Sequence, residues 1–288
     1  MLVGMHGRIH GRITDPILNA GHLSNLGATH VHLGEFRQAI GVYAQALDVA
    51  RSIGDRQGEG TVLVNLGNCY YRLGEYRRAI DLDTQALAIA REIGDRSEEA
   101  VAVEYLGRAW LASGEARRAV TLLEQAVSLA DTTGDIEPAV EARSWLARAH
   151  LQLGDPAAAL AATTARRELP YPTEEPMLRL LEGLALLDLH RLEASVPAFS
   201  AAVTAANALL ALADSNVAAL QARALALSGL AAATGSPAQA VDAEEAFARA
   251  RAVTSAPGVL AGTHRLFEQI ACHDRSGVLA RVRAAQDP

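Results

Sequence analysis

Apolar residues recur through the first half of the chain at the spacing of amphipathic helices, and Gly-acid dipeptides separate one helical stretch from the next. Between Gly54-Asp55 and Gly74-Glu75, the apolar positions are Val62, Leu63, Leu66, Tyr70 and Leu73. This 3.6-residue period predicts a helix with one buried face. Gly74 stands where that helix must end, because glycine readily adopts the left-handed backbone that turns a chain out of a helix.

A second apolar stripe follows and ends at Gly94, so the pattern predicts a pair of helices. Asp95 is predicted to cap the next helix, with Glu98 completing a capping box. The pair then repeats, since a shift of 40 residues aligns three columns of matching residues. The columns are Leu26-Gly27, Leu66-Gly67, Leu106-Gly107 and Leu146-Ala147; Gly34-Glu35, Gly74-Glu75, Gly114-Glu115 and Gly154-Asp155; and Ala39, Ala79, Ala119 and Ala159. Stacked copies of one helix pair predict an all-α solenoid with close helix contacts at the small residues.

The repeat divides the chain into three predicted regions. Residues 15–168 hold four regular units, and residues 1–14, rich in Gly, His and Arg, are predicted to be a flexible leader. Leu169-Pro170-Tyr171-Pro172 interrupts the pattern, because proline lacks an N–H donor and restricts the residue before it. We expect this break to be a loop within the solenoid. Residues 169–288 are predicted to form degenerate units and closing helices that shield the last apolar face.

The spacing of Leu66, Gly67, Tyr70, Ala79 and Ala86 resembles the tetratricopeptide signature. The longer 40-residue unit, which ends in Ala-x-x-Ile-Gly-Asp-Arg, resembles the variant of kinesin light chains, mitotic-spindle adaptors and bacterial STAND-type regulators. This resemblance implies antiparallel helix pairs stacked in a right-handed superhelix of about six units. It also implies a concave groove lined by the first helix of each pair.

The resemblance places the residues that flank each Leu-Gly pair in the groove. The candidate partner-binding residues are Asn25, His32, Asn65, Asn68, Tyr71, Arg72, Tyr105, Arg108, Trp145 and Arg148. Interface cores are enriched in aromatic residues and Arg, and guanidinium groups pair well with carboxylates. We therefore expect a protein or peptide partner that carries acidic residues. The alternative is that these side chains form a solvated polar surface without a partner.

Composition narrows the classes of partner. The formal net charge is -7, whereas nucleic-acid binders are usually basic over at least one face, so an RNA or DNA partner is not expected. The 26 basic residues are all arginine, which excludes a P-loop or Schiff-base lysine and is typical of a high-GC bacterium such as an actinomycete. No 18 apolar residues run without interruption, so we expect a cytoplasmic protein without a membrane span.

Catalytic and metal-binding patterns are not evident in the sequence. His30 and His32 are two residues apart on a helix and so diverge, and no carboxylate or cysteine accompanies His6 and His10. Zincin, Cys-x-x-Cys and Gly-x-Ser-x-Gly motifs are missing. We therefore expect a protein without catalytic residues, metal or cofactor. Cys69 and Cys272 lie in apolar helical stretches and are predicted to be buried free thiols.

A sensing function and the oligomeric state stay open at this point. The resemblance to STAND-type regulators suggests a ligand- or signal-sensing arm, either within a larger regulator or free-standing. A sensor of small molecules would need a closed pocket, which the sequence alone does not reveal. Homo-oligomerisation is also left open.

Overall fold

A computed structural model describes residues 16–165 and 171–284 of the chain. The predicted leader at residues 1–14 lies outside the described residues, and so do residues 166–170, which include the first half of the Leu169-Pro170-Tyr171-Pro172 break. Within the two described ranges the regular secondary structure is entirely helical. The all-α prediction is confirmed.

The N-terminal body comprises residues 1–138 together with residues 256–258. Its helices are α1 (Pro16–His32), α2 (Phe36–Ile53), α3 (Arg56–Arg72), α4 (Tyr76–Ile93), α5 (Arg96–Ala112), α6 (Ala116–Thr133) and the first residues of α7 (Ile136–Gln152). They pack as the consecutive antiparallel pairs α1–α2, α3–α4 and α5–α6, and each pair packs on the next. This is the predicted arrangement of a repeated helix pair.

The turns between helices follow the predicted chemistry. Gly74 has φ +79°, and its N–H donates to the Tyr71 carbonyl at 2.9 Å, so glycine ends α3 in the left-handed region. The Asp95 carboxylate accepts the Glu98 N–H at 3.0 Å and caps α5 as predicted. The reciprocal half of the capping box is not formed. The Asp95 N–H donates to the Ala90 carbonyl, and the Glu98 carboxylate accepts from Thr61 at 3.4 Å.

Each Leu-Gly pair places its glycine against a side chain from the second helix of the same unit. Gly27 faces the Tyr43 ring, Gly67 faces the Asp83 carboxyl and Gly107 faces Leu123. A Cβ on Gly107 would lie only 2.8 Å from Leu123 Cγ, which is closer than packed carbon atoms approach. The glycine column therefore sets the distance between the two helices of a pair.

A matched pair of substitutions tests this packing. Gly107→Ala should lower the free energy of unfolding by about 1–3 kcal/mol, because the added methyl overpacks the joint with Leu123. Gly41→Ala should instead raise it by about 0.5–1 kcal/mol, because Gly41 lies inside α2 with open space around its Cβ position. Urea unfolding followed by circular dichroism measures both, and a Gly107→Ala protein as stable as the parent would contradict the packing.

The C-terminal body comprises residues 139–255 and 259–288. It contains the remainder of α7, α8 (Pro156–Thr164), α9 (Glu175–Asp188), α10 (Leu192–Leu212), α11 (Val217–Thr234), α12 (Pro237–Val253), most of α13 (Pro257–Ala271) and α14 (Ala280–Ala284). Its core is built around Phe199, whose ring lies against Gly183 and Gly229, and around the edge-to-face rings of Phe247 and Phe267 at 5.7 Å. Its helices α9 and α10 pack on each other, and so do α11 and α12.

Helices α10 and α11 are long and apolar enough to cross a membrane by length and composition. Most of α11 is buried in the core of the C-terminal body, and a core helix of this kind has the same composition as a membrane span. Less of α10 is buried, and Leu212 at its end is 86% exposed.

Candidate functional site

Helix α3 presents three of the predicted site residues on one stripe. Asn65, Asn68 and Arg72 are separated by three and four residues, so they follow one another along one face of the helix. All three side chains are half-buried, whereas Tyr71 beside them is 8% exposed. The stripe is therefore the accessible part of this surface, and Tyr71 is part of its support.

Arg108 on α5 is built into the protein. Its side chain is almost fully buried, and its guanidinium carbon lies 5.2 Å from the Tyr71 ring centroid and 4.3 Å from that of Tyr105. Its Nη1 donates to Glu104 Oε1 at 3.4 Å. Two aromatic rings and a buried carboxylate thus stabilise the cation within the protein. Arg108 is therefore less available to a partner than its place in the repeat predicts.

Asp83 on α4 lies near Arg108 and was not among the residues predicted from the sequence. The side chain is 1% exposed, and its Oδ1 has no hydrogen-bond partner among the described residues. Burial raises the pKa of Asp83 well above its usual range; the positive charge of Arg108 opposes this shift and Glu104 adds to it. The signal lay in the repeat itself, since Tyr43 and Leu123 occupy the same column and only Asp83 places a carboxyl there.

Arg72 has a different environment from Arg108. Part of its side chain is exposed, yet burial lowers the pKa of its guanidinium, and the neighbouring charge of Arg108 lowers it further. Its one hydrogen bond to another described side chain is a long one, from Nε to Asn68 Oδ1 at 3.5 Å. No described carboxylate lies within 4.0 Å of it. Asp83 and Glu104 face Arg108, so Arg72 is a desolvated cation with no carboxylate partner among these residues.

The two cysteines differ in their exposure to solvent. Cys69 on α3 is fully buried, and burial raises the pKa of its thiol to about 12, against an opposing effect of Arg72. Cys272 is exposed. The prediction of a buried thiol is confirmed for Cys69 and wrong for Cys272, because α13 ends at Ala271 and the chain turns outward at the surface.

Four other predicted residues lie on α1 and α7. Asn25 and His32 on α1 of the N-terminal body are both exposed. Trp145 and Arg148 on α7 belong to the C-terminal body, where both are half-buried and the Arg148 guanidinium lies 4.1 Å from the Trp145 ring centroid. The contacts of Arg72 and Arg108 bring together Asn68, Tyr71, Arg72, Tyr105 and Arg108. We name these five residues the Arg72 cluster.

Sequence comparison assigns this architecture to a family. Models of the tetratricopeptide repeat match residues 19–92, 61–132 and 105–171, which together span more than half of the chain. The chain belongs to the tetratricopeptide repeat family. No curated protein sequence matches it.

Solved structures with the same tetratricopeptide fold show low sequence identity. A Rap protein complexed with competence and sporulation factor is 14% identical, with 98% of this chain and 78% of that chain covered at a TM-score of 0.71. The Rap conjugation gene regulator of plasmid pLS20, in complex with the Phr* peptide, is 14% identical, with coverages of 95% and 78% at a TM-score of 0.60. A STAND protein with a tetratricopeptide repeat sensor from Pyrococcus horikoshii is 14% identical, with coverages of 99% and 41% at a TM-score of 0.52.

A metal site in this tetratricopeptide protein would need several ligand side chains close together. Among residues 16–165 and 171–284, no group of three or more His, Cys, Asp or Glu side chains is placed to hold a metal ion. His30 Nδ1 is instead 2.5 Å from Glu35 Oε2, at the turn between α1 and α2.

Proposed function

We propose that this chain is a protein- or peptide-binding module whose N-terminal body holds a partner segment at the Arg72 cluster. The observation that carries the proposal is the state of Arg72, a partly buried guanidinium beside a second guanidinium and without a carboxylate of its own. Removing a charge from water is costly unless it is paired. A carboxylate from a partner would supply that pairing.

The neighbouring side chains fit the backbone and side chains of a peptide. A guanidinium can hold a carboxylate through two parallel hydrogen bonds, which makes Asp or Glu the matching partner residue for Arg72. Asn65 and Asn68 offer amide groups that can donate to and accept from a peptide backbone. Tyr105 is half-buried and offers a ring for apolar contact. The partner is therefore proposed to be a segment with at least one acidic residue.

The structural neighbours support the same class of function. The Rap regulator of pLS20 was solved with a peptide, and the Pyrococcus protein uses tetratricopeptide repeats as its sensor. The net charge of -7 adds selectivity, because an acidic surface around a local positive group repels uniformly acidic competitors. The same charge argues against a nucleic-acid partner. The proposal needs no catalytic residue, metal or cofactor, and we propose a cytoplasmic location.

Selection from a displayed library of random peptides tests the proposal with the full chain. We expect the selected peptides to be enriched in Asp and Glu. Arg72→Gln should weaken binding of the best peptide by about 1–3 kcal/mol, because it removes a charge-assisted contact in a desolvated site. Isothermal titration calorimetry measures the loss.

Arg117→Gln is the matched control, because Arg117 is exposed on α6, the second helix of its pair. It should bind the selected peptide as the parent does. Selected peptides without acidic enrichment, or equal losses in the two variants, would remove the Arg72 cluster from the mechanism.

A second candidate is the sensing arm of a STAND-type regulator. It is favoured by the similarity to the STAND protein with a tetratricopeptide repeat sensor, which covers 99% of this chain, although this chain spans only 41% of that protein. A sensor of small molecules would be stabilised by its ligand, so a thermal-shift screen of metabolites separates this candidate from a peptide binder. Stabilisation by a metabolite that competes with the selected peptide would favour the sensor.

A further inference from the structure

The turn between α9 and α10 places a histidine where the regular units have glycine. Gly34, Gly74, Gly114 and Gly154 end the first helix of each regular pair with φ between +73° and +97°. His190 follows Gly183 by seven residues, as Gly74 follows Gly67, and has φ +58°. Its N–H donates to the Leu187 carbonyl at 2.8 Å, so the turn is of the same kind.

A histidine in this position costs stability that glycine would not. The left-handed region brings Cβ close to the following carbonyl in every residue except glycine. Among the described residues, His190 is the one non-glycine residue with positive φ. Strained backbone of this kind concentrates at functional sites, which indicates a function for the side chain of His190.

His190 lines a cavity of about 330 Å³ in the C-terminal body. The other lining residues come from the ends of α9 and α11, the start of α10 and the loop after α13, and they are Leu187, Leu192, Ala232, Ala233, Thr234, Gly235, His273, Arg275 and Ser276. Apolar side chains thus form one wall, and two histidines, an arginine and two hydroxyls supply the polar groups. Small-molecule sites in proteins have this size and this mixture.

Two carboxylates that are next to lining residues in the sequence, Asp188 and Asp274, make hydrogen bonds within the protein. Asp188 accepts from Gln269 at 2.8 Å through Oδ2, and its Oδ1 is 2.6 Å from His273 Nε2, which holds the imidazole in place. Asp274 accepts from Ser276 Oγ and from the N–H groups of Val278 and Leu279.

Two hydrogen-bond donors that line the cavity, His190 and Arg275, differ from these carboxylates. The side chains of His190 and Arg275 are exposed and make no hydrogen bond to another described side chain. A guanidinium and an imidazole that line a partly apolar cavity match a ligand with a negatively charged oxygen group and an apolar body. The cation of Arg275 is permanent, so it would supply most of the attraction.

We propose that this cavity, which we name the His190 cavity, binds a small organic oxyanion, held at its charged end by Arg275 and His190. The apolar wall of Leu187, Leu192 and Ala232 receives the rest of the molecule. Carboxylates and phosphate esters share this chemistry. The site lies wholly within the C-terminal body, and it is independent of the Arg72 cluster.

Calorimetric titration of the full chain with benzoate, phenyl phosphate and inorganic phosphate tests the proposal. We expect saturable binding of at least one of the two aromatic anions, and weaker binding of inorganic phosphate because it has no apolar body. The tighter of the two aromatic anions identifies the head group. Arg275→Gln should weaken this binding by about tenfold or more.

His190→Gly provides a test in which two effects have opposite signs. Glycine relieves the left-handed strain, so the melting temperature should rise by about 2–4 °C, while anion binding weakens. Arg251→Gln, an exposed arginine in the last turn of α12, is the control and should change neither quantity. The proposal is overturned if neither aromatic anion binds saturably, or if Arg275→Gln and His190→Gly bind the anion as tightly as the parent.

Discussion

Replacing Arg108 with leucine should lower the free energy of unfolding by about 3–5 kcal/mol, the usual cost of breaking a buried ion pair by removing one partner. Arg108 is 6% exposed, and Glu104 at 3.4 Å is 2% exposed. Without the guanidinium, the buried Glu104 would lose this contact, and Asp83 would lose the positive charge that opposes the effect of burial. The stacking of Arg108 on Tyr71 and Tyr105 would be lost as well.

Urea unfolding of Arg108→Leu measures this loss. Arg117→Leu on α6 is the control, because Arg117 is exposed and its replacement should change stability by no more than about 0.5 kcal/mol. If Arg108→Leu unfolds at the same urea concentration as Arg117→Leu, then Arg108 is not the buried cation that holds this part of the N-terminal body together.

Asp83→Leu should act in the opposite direction and stabilise the protein by about 1–3 kcal/mol, the usual cost of a buried polar group without a hydrogen-bond partner. Its Oδ1 has no hydrogen-bond partner among the described residues. The attraction of the carboxyl to Arg108 is opposed by the repulsion from Glu104. Leucine fits this kind of joint, since Leu123 packs on Gly107 in the next unit as Asp83 packs on Gly67. Asp81→Leu, exposed on the same helix, is the control.

The gain from Asp83→Leu should depend on pH in a definite direction. Burial raises the pKa of Asp83, so the folded protein holds this proton more tightly than the unfolded chain. Below the unfolded pKa of about 3.9 the carboxyl is protonated in both states and carries no ionisation penalty. As pH rises from there toward the raised pKa, the parent loses stability relative to the variant. A difference in stability that shrinks with rising pH would contradict a raised pKa for Asp83.

The sequence predicts the fold well where the 40-residue columns are intact. The left-handed glycines, the Asp95 cap and the close joint at Gly67 follow from residue types that have few other structural uses. Beyond residue 165 the alignment fails for a specific reason. His190 stands 36 residues after Gly154, so a shift of 40 no longer superimposes the turns, and glycine is absent from the turn itself.

The candidate binding surface is less predictable from the sequence than the fold is. The repeat identifies which face of α3 carries Asn65, Asn68 and Arg72, and the periodicity of a helix is sufficient for that. It does not reveal that Arg108 lies over Tyr71, because the two residues come from different units and meet only through the packing of α3 and α5. The sequence places Arg72 and Arg108 on the first helices of their units, with Arg72 four residues later in its repeat, whereas packing buries Arg108 and leaves Arg72 without a carboxylate.

The proposed role of Arg72 also depends on its neighbours. Arg108, held by Glu104 and two rings, keeps a positive charge beside Arg72 and lowers the pKa of the Arg72 guanidinium. A partner carboxylate would therefore be attracted by two guanidiniums while it contacts the more exposed one. Removing Arg72 should affect binding far more than folding, whereas removing Arg108 should affect both.

A double-mutant cycle between Arg72 and the acidic residue of the selected peptide tests this account most directly. The parent and Arg72→Gln are each titrated with the peptide and with its Asp→Asn or Glu→Gln version, and the coupling free energy is taken from the four affinities. We expect a coupling of about 1–3 kcal/mol, because the contact is charge-assisted and partly desolvated. A coupling near zero, with the peptide still bound, would show that Arg72 does not hold the acidic residue.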